Sequence, residues 1–422
     1  MSLASHEGGR RALAIELVQR GERERSLPLF HAEVRESEAG LAWLESLVLD
    51  AMRRGDLRQA GDYAAVVTAL RHGTRFHPAR TDEPALELPL RPPPVTLTVP
   101  KLTHDIEQLE YLRAQGLLDP ALGPVLDGYR WVRDRLAAEG PEARRPPDAE
   151  ESRAMGELYG RIVHVRSTPR VERALSGRFD PAEVEARYLG SPPGIVVIDD
   201  FLSAEALRDL SRFCLESTIW SENRYAHGRL GAFFEAGFNC PLLLQIAEEI
   251  RAALPAVIGD RYPLRQMWAF KYAETLPPDQ SIHADFAAVN VNFWITPEDA
   301  NLDPDTGGLI VYDVDAPPTW SFERYQNTAF SDLGPFLRRH GARTLYIPYR
   351  QNRAILFNSD LFHGTAPLHF RGGYEDRRIN VTMLYGDRED DVHHPRLSRA
   401  EADAGDIGRA WRSASLTRAR RR

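Results

Sequence analysis

Between Pro263 and Gly386 the chain carries a series of short runs rich in β-branched and aromatic residues. These are LRQMWAFKYAE, AAVNVNFWIT, GGLIVYDV, ARTLYIPYR, RAILFN and RRINVTMLYG, with Gly, Pro, Asn and Asp between them. Many short strands separated by turn signals predict a sandwich or barrel of sheet, and this limits the fold more than any other feature.

The first third is helical in pattern. Leu41, Leu44, Leu47 and Val48 recur at helical spacing, Gly55-Asp56 breaks the run, and a second helix carries Ala60, Tyr63, Ala64 and Leu70. The pair is like one unit of a tetratricopeptide hairpin, but no second copy follows at a fixed period. Leu86 to Pro100 reads as an extended connector, two more helices follow, and EGPEARRPPDAEE is the best linker. A helical patch is expected over Glu151 to Val163, then a less regular stretch to Gly190. GIVVIDDFLSAEALRDLSRF next predicts a strand, a turn and a helix capped by Ser203. The expected organisation is a helical region over 1–140, a linker and helical segment over 141–190, a β-rich domain over 191–390 and a polar tail over 391–422. At 422 residues the chain has room for two or three domains of ~150 residues each.

Composition excludes several classes. A formal net charge of -8 argues against general nucleic-acid binding, and the arginines closing the tail read as a solvated end. No window approaches the ~20 apolar residues of a membrane span, and the N-terminus lacks a signal-peptide core. The two cysteines, Cys214 and Cys240, lack both disulfide-scaffold density and zinc-site spacing, so a reduced, cytoplasmic setting is the default expectation.

The β-rich part contains SIHADF. On a strand, His283 and Asp285 point to one face, roughly 7 Å apart along the chain. LFNSDLFHGTAP supplies His363 eighty residues later. Two imidazoles and a carboxylate on one face of an octahedral ion form the facial triad of non-heme Fe(II) oxygenases, which leaves three positions open. Arg378, in RRINVTMLYG, is suited to grip a carboxylate with paired hydrogen bonds. Arg377 is its rival, because adjacent strand residues face opposite ways. Tyr272 lies upstream within reach of the same ligand, and Asn290, Asn292 and Trp294 share one strand face.

From about Gly194 to Gly386 these segments resemble, in order, the Fe(II)/2-oxoglutarate-dependent oxygenases, near their prolyl-hydroxylase-like branch. GIVVIDDFLSAEAL resembles the opening strand and helix, FKYAE and HAD the Tyr-then-HxD segment, and VNVNFWIT with Gly307-Gly308-Leu309 the central strand and GG turn. NRAILFNSDLFHG resembles the distal His segment, and Arg378-Ile379-Asn380 an Arg-x-Ser with Asn in place of Ser. The resemblance implies an α+β chain: a double-stranded β-helix, a jelly-roll or cupin-like barrel, behind an N-terminal helical domain. It implies Fe(II) on His283, Asp285 and His363, and 2-oxoglutarate paired with Arg378. Tyr272, Asn292, Trp294 and Asn380 are further cosubstrate contacts. The implied reaction uses O2, releases succinate and CO2, and hydroxylates an unactivated C–H bond. Asp285 argues against halogenation, since halogenating members carry Ala or Gly there.

Simpler readings stand beside these. His31, His72, His77 and His104 are given no role, His369 is a weaker rival to His363, and His393-His394 is read as a solvated loop. Lys271 is expected to face outward or pair with an acid, and the cysteines to be unreactive. Trp220 to Asn239 and Pro317 to Gly341 are candidate lids, or insertions covering a sheet edge, with Arg224, Arg229 and Arg324 able to meet an acidic or amide-rich substrate. That substrate is expected to be a small molecule or a peptide or protein side chain, engaged by the N-terminal helices in the latter case. The other two readings are a cupin-like metalloenzyme using no oxo acid and a helical interaction protein with an inactive barrel.

Overall fold

The computed structural model describes residues 3–36, 38–73, 92, 95–118, 120–223, 228–276 and 282–390. Four helices lead: α1 (Leu3–Gln19), α2 (Arg23–Glu36), α3 (Glu38–Arg53) and α4 (Leu57–His72), each packed on the next. The break before α4 falls at the expected place. Gly55 adopts φ +73°, which a side chain would strain, and Asp56 accepts the Gln59 N–H at 3.0 Å. A second helical pair, α5 (Val99–Ala114) and α6 (Gly123–Glu139), closes around Leu102, Ile106, Leu126 and Leu136. The Pro-rich stretch after Glu139 is pinned. The Arg145 guanidinium bonds Glu139 and Glu151, and its backbone pairs with Leu97.

Two local expectations need correction. The helix read over Glu151 to Val163 is only α7 (Ala149–Ala154), because Gly156 and Glu157 turn to φ +60° and +57° and end it. The stretch read as irregular closes with α8 (Pro181–Gly190), which Asp180 caps by accepting the Ala182 and Glu183 N–H groups. Next come β1 (Ile195–Ile198) and α9 (Ala204–Glu216), where Ser203 accepts the Ala206 N–H as its expected cap. The remaining elements are β2 (Leu230–Phe233), α10 (Pro241–Ala253), β3 (Leu264–Lys271), β4 (Thr275–Leu276), β5 (Val289–Trp294), β6 (Leu309–Asp315), α11 (Phe322–Asn327) and α12 (Phe330–Arg339). They are followed by β7 (Thr344–Ile347), β8 (Ala354–Asn358), β9 (Leu361–Thr365), β10 (Leu368–His369) and β11 (Ile379–Tyr385).

The strands form antiparallel sheets. One has six strands in the order β1-β8-β5-β11-β3-β2, another three in the order β7-β6-β9, and β4 pairs with β10. The chain crosses between the two larger sheets repeatedly, placing β5 in the first, β6 and β7 in the second, β8 in the first, β9 in the second and β11 in the first. The two-residue repeat of β5 then divides its side chains. Val289, Val291 and Phe293 enter a large core shared with residues of α2–α4, α9 and α10. Trp294 turns the other way, packing with Val311 and Leu309 of the smaller sheet. The leading helices therefore cover the outer face of the six-stranded sheet, while the space between the sheets takes the polar face of β5.

On that outer face Lys271 contradicts its expected placement. It is fully buried, its Nζ donates to the Cys214 carbonyl at 3.1 Å and the Tyr374 hydroxyl at 3.0 Å, and it sits 4.4 Å from the Trp220 ring centre. No carboxylate among the described residues lies within 4.0 Å of it. Burial holds its ammonium well below the ordinary lysine value. The unfolded chain therefore binds this proton up to pH ~10.4, whereas the folded chain releases it sooner, so the burden is fully present at low pH and fades as pH climbs to about 10. Both acceptors keep another bond if the amine is removed, since Trp220 Nε1 also donates to the Cys214 carbonyl and Tyr374 donates to Leu215. Lys271→Met is thus expected to raise the melting temperature at pH 7, with the gain smaller at higher pH and gone by about pH 10–11. A lower melting temperature at pH 7 would show that the two bonds outweigh the burial.

Candidate metal centre and carboxylate pocket

His283 and His363 form an isolated antiparallel bridge. The His283 N–H donates to the His363 carbonyl at 2.9 Å and the reverse bond is 2.8 Å. Their rings are consequently 4.7 Å apart, centre to centre. Asp285 is two residues along the same extended segment and so faces the same way. Its Oδ1 is 3.7 Å from His283 Nε2 and its Oδ2 is 3.4 Å from His363 Nε2. One donor atom from each side chain lies within 4.8 Å of the others, close enough for all three to bind a single ion. Asp285 and His363 are buried, whereas the His283 side chain is 22% exposed and lies on the open side.

The donors are held in register. His363 Nδ1 meets the Leu361 carbonyl at 2.9 Å, an acceptor, so Nδ1 carries a proton and Nε2 is the nitrogen left to face Asp285 or, once its own proton is displaced, an ion. Asp285 accepts Asn290 Nδ2 on Oδ2 at 2.6 Å and Gln326 Nε2 on Oδ1 at 3.2 Å. Burial pushes the Asp285 carboxyl up, but its bond and charge attraction to His363, with His283 and Gln326 adding to them, hold it below the usual carboxylate value. It is ionised at neutral pH.

The rivalry between Arg377 and Arg378 is resolved by their partners. Arg377 turns outward to Glu107 of α5 at 2.8 Å. Arg378 turns inward and is fully buried, with Nε donating to the Gly307 carbonyl at 2.6 Å and Nη2 to the Gly308 carbonyl at 3.3 Å. Its guanidinium carbon is 4.8 Å from the Tyr272 ring centre, 5.5 Å from Trp294 and 6.0 Å from Tyr349. Among the described residues its Nη1 has no hydrogen-bond partner, nor has the indole nitrogen of Trp294. Among the described residues no carboxylate lies within 4.0 Å of Arg378. A buried cation lacking a counter-charge is expensive, and burial pulls its pKa down.

These surroundings connect to the three donors through β9. The Tyr272 hydroxyl is 3.0 Å from Thr365 Oγ1, and Thr365 is two places beyond His363 on β9. Burial raises the Tyr272 phenol, yet the nearby Arg229 and Arg378 charges bring it below its ordinary value. Asn292 and Asn380 lie in an amide chain instead of against the guanidinium: Asn380 Nδ2 donates to Asn292 Oδ1 at 2.9 Å, and Asn292 Nδ2 donates to Asn290 Oδ1 at 2.5 Å. Tyr349 and Gln326 were missed by the sequence reading.

Other candidates fall elsewhere. His369 is exposed on β10, and His31, His72 and His104 are buried among the helices, away from the triad. His77, Arg224, His393, His394 and the tail lie outside the described residues. Burial raises both thiols, Cys240 to about 12, which fits their expected inertness. In the first candidate lid, Leu230–Phe233 is the edge strand β2, and Arg229 is buried 4.7 Å from the Phe270 ring centre. The second is mostly helical. Its α11 and α12 pack with Ile282, Ala284 and Phe362 over the metal donors, and Arg324 lies on the outside of α11 against Trp320.

The Gly307-Gly308 turn presents the carbonyls that hold Arg378, and a side chain at Gly308 would place its Cβ 1.8 Å from the Ile347 carbonyl oxygen. Backbone cannot yield as a flexible side chain can. Gly308→Ala is expected to cost ~3 kcal/mol or more in denaturant unfolding, at the upper end of overpacking effects. An unchanged midpoint would mean that the turn does not hold the geometry described.

No family model and no curated protein matches the chain. Solved structures are similar to it at low identity over about half its length. The epimerase SnoN, in complex with Fe3+, alpha ketoglutarate and nogalamycin RO, is 15% identical with a TM-score of 0.36, covering 49% of this chain and 83% of its own. A Pseudomonas putida prolyl-4-hydroxylase is 13% identical with a TM-score of 0.31, covering 50% of this chain and all of its own. EctD from S. alaskensis, with 2-oxoglutarate and 5-hydroxyectoine, is 14% identical with a TM-score of 0.32, covering 56% and 89%.

Proposed function

We propose that this chain is an Fe(II)- and 2-oxoglutarate-dependent oxygenase that hydroxylates an unactivated C–H bond. In the overall reaction one oxygen atom of O2 enters the substrate and the other enters the succinate formed as 2-oxoglutarate loses CO2. The strand exchange between the two sheets supports the double-stranded β-helix expected of such a barrel. The observation that carries the proposal is Arg378. It is a buried guanidinium with an unpartnered nitrogen among the described residues, held by the Gly307 and Gly308 carbonyls just before Leu309, which pairs with Thr365, two strand residues or roughly 7 Å along β9 from His363. That spacing suits a dicarboxylate with one end at the ion and the other at Arg378.

His283, Asp285 and His363 would hold the ion. Bound there, Fe(II) supplies three open positions at which an oxo acid and O2 react. The chain's own residues do the rest. Leu361 fixes the His363 tautomer, and Asn290 and Gln326 hold Asp285 in one orientation. Arg378 receives the distal carboxylate, with Tyr272, Trp294 and Tyr349 walling it from water and strengthening the ion pair. The substrate, a small molecule or a peptide or protein side chain, approaches beneath α11 and α12. The leading helices lie on the opposite face of the six-stranded sheet, and support it from behind.

Anaerobic addition of 2-oxoglutarate to the Fe(II)-loaded protein is expected to give a weak visible charge-transfer band, and admission of air to give succinate. His283→Ala should remove the band. Arg378→Met should weaken 2-oxoglutarate binding ~100-fold or more while metal still binds, since a charge-assisted bidentate pair contributes at least ~3 kcal/mol in a buried site. A metal-loaded protein showing neither band nor succinate would favour a barrel enzyme that uses no oxo acid.

A further inference from the structure

We infer that Gln326 of the roof helix α11 is a positioning residue for the metal-binding carboxylate, and that through it the roof over the substrate is coupled to the ion. The inference rests on the metal-centre reading above.

Two consecutive residues of α11 grip Ala284, the residue between two of the metal donors, from both of its peptide groups. The Tyr325 carbonyl accepts the Ala284 N–H at 3.2 Å, and Gln326 Nε2 donates to the Ala284 carbonyl at 2.6 Å. The same Nε2 reaches Asp285 Oδ1 at 3.2 Å. The helix end is thus fastened to the HxD segment by backbone, and its amide continues to the carboxylate itself.

The other carboxylate oxygen is held from the sheet. Asn292 Oδ1 accepts both Asn380 Nδ2 at 2.9 Å and Thr382 Oγ1 at 2.7 Å, so its Nδ2 must turn to Asn290 Oδ1. Asn290 then has only its Nδ2 to offer Asp285. This chain of buried amides allows one polarity and cannot swing without breaking a bond. Gln326 differs in that it comes from a helix of six residues whose first residue, Phe322, is 50% exposed. One side of the carboxylate is therefore fixed by β5 and β11, and the other by an element that a substrate can press on. Moving α11 relaxes Oδ1 while Oδ2 stays held, which rotates the carboxylate relative to the two imidazoles.

The test uses Co(II), with neither oxo acid nor O2 present, so that no turnover enters the readout. Gln326→Met keeps the side chain's length and loses its N–H. It is expected to bind Co(II) about 10-fold more weakly than the unaltered protein, with an altered visible d–d spectrum and a metal-free melting temperature within a few degrees. Phe322→Ala, on the same helix and half-exposed with its ring against Tyr325 and Phe286 but no bond to Asp285, is expected to leave Co(II) affinity and spectrum unchanged. Equal affinity and spectrum in Gln326→Met would overturn the inference, as would an equal loss in Phe322→Ala, which would assign the effect to helix packing and not to the amide. Failure of the unaltered protein to bind Co(II) would instead remove the metal centre itself, and the coupling with it.

Discussion

Two backbone hydrogen bonds between His283 and His363 hold the site together. The two stand eighty positions apart in the chain, and every crossing of the chain from one of the two larger sheets to the other falls in that interval or next to it. The bridge brings together the segment before β5, which belongs to the six-stranded sheet, and β9, which belongs to the smaller one. Once this pair is formed, the alternation of an extended chain puts Asp285 on the same side as both rings. No local turn brings two imidazoles and a carboxylate from such distant positions to one point. The fold must close before the site exists, and the long loop it closes is repaid by the large apolar core behind the sheet.

Between the sheets the interior is polar in an ordered way. β5 and β11 are buried along their whole length, yet they carry Asn290, Asn292, Asn380 and Thr382 inward. Those groups are mutually hydrogen-bonded into a chain ending on Asp285, so they cost little despite burial. The exceptions are informative by position. Arg378 and Trp294, buried side by side, each keep a nitrogen without a partner. These two donors lie between the sheets, as the metal donors do, where a ligand carboxylate would complete them.

The strand pattern and the HxD spacing were readable because both depend on neighbours in sequence: a two-residue repeat decides which side chains share a face. The choice between Arg377 and Arg378 was not decided by that repeat, since a shift of one residue exchanges them. It is decided by Glu107, on a helix far earlier in the chain, and by the carbonyls of Gly307 and Gly308. Tyr349 and Gln326 left no signal for the same reason, their contacts being wholly tertiary. The roof helices were obscured by Pro335 within α12 and by the shortness of α11, although Leu333 and Leu337 do stand at helical spacing. The leading helices were visible in outline, but not the face of the sheet they cover, because an amphipathic stripe does not name its partner. Lys271 shows the limit most plainly, since its charge pointed outward and its ammonium instead lies buried 4.4 Å from both the Trp220 and the Tyr374 ring centres.

X-ray absorption on the Fe(II)-loaded protein, with no oxo acid present, tests the central claim most directly. Two imidazoles and one carboxylate on one face of the ion predict a six-coordinate shell of light atoms with the scattering of two histidine rings and no sulfur, the remaining positions being water. A four-coordinate shell, a sulfur neighbour, or scattering from one ring or none would contradict a shared site on His283, Asp285 and His363.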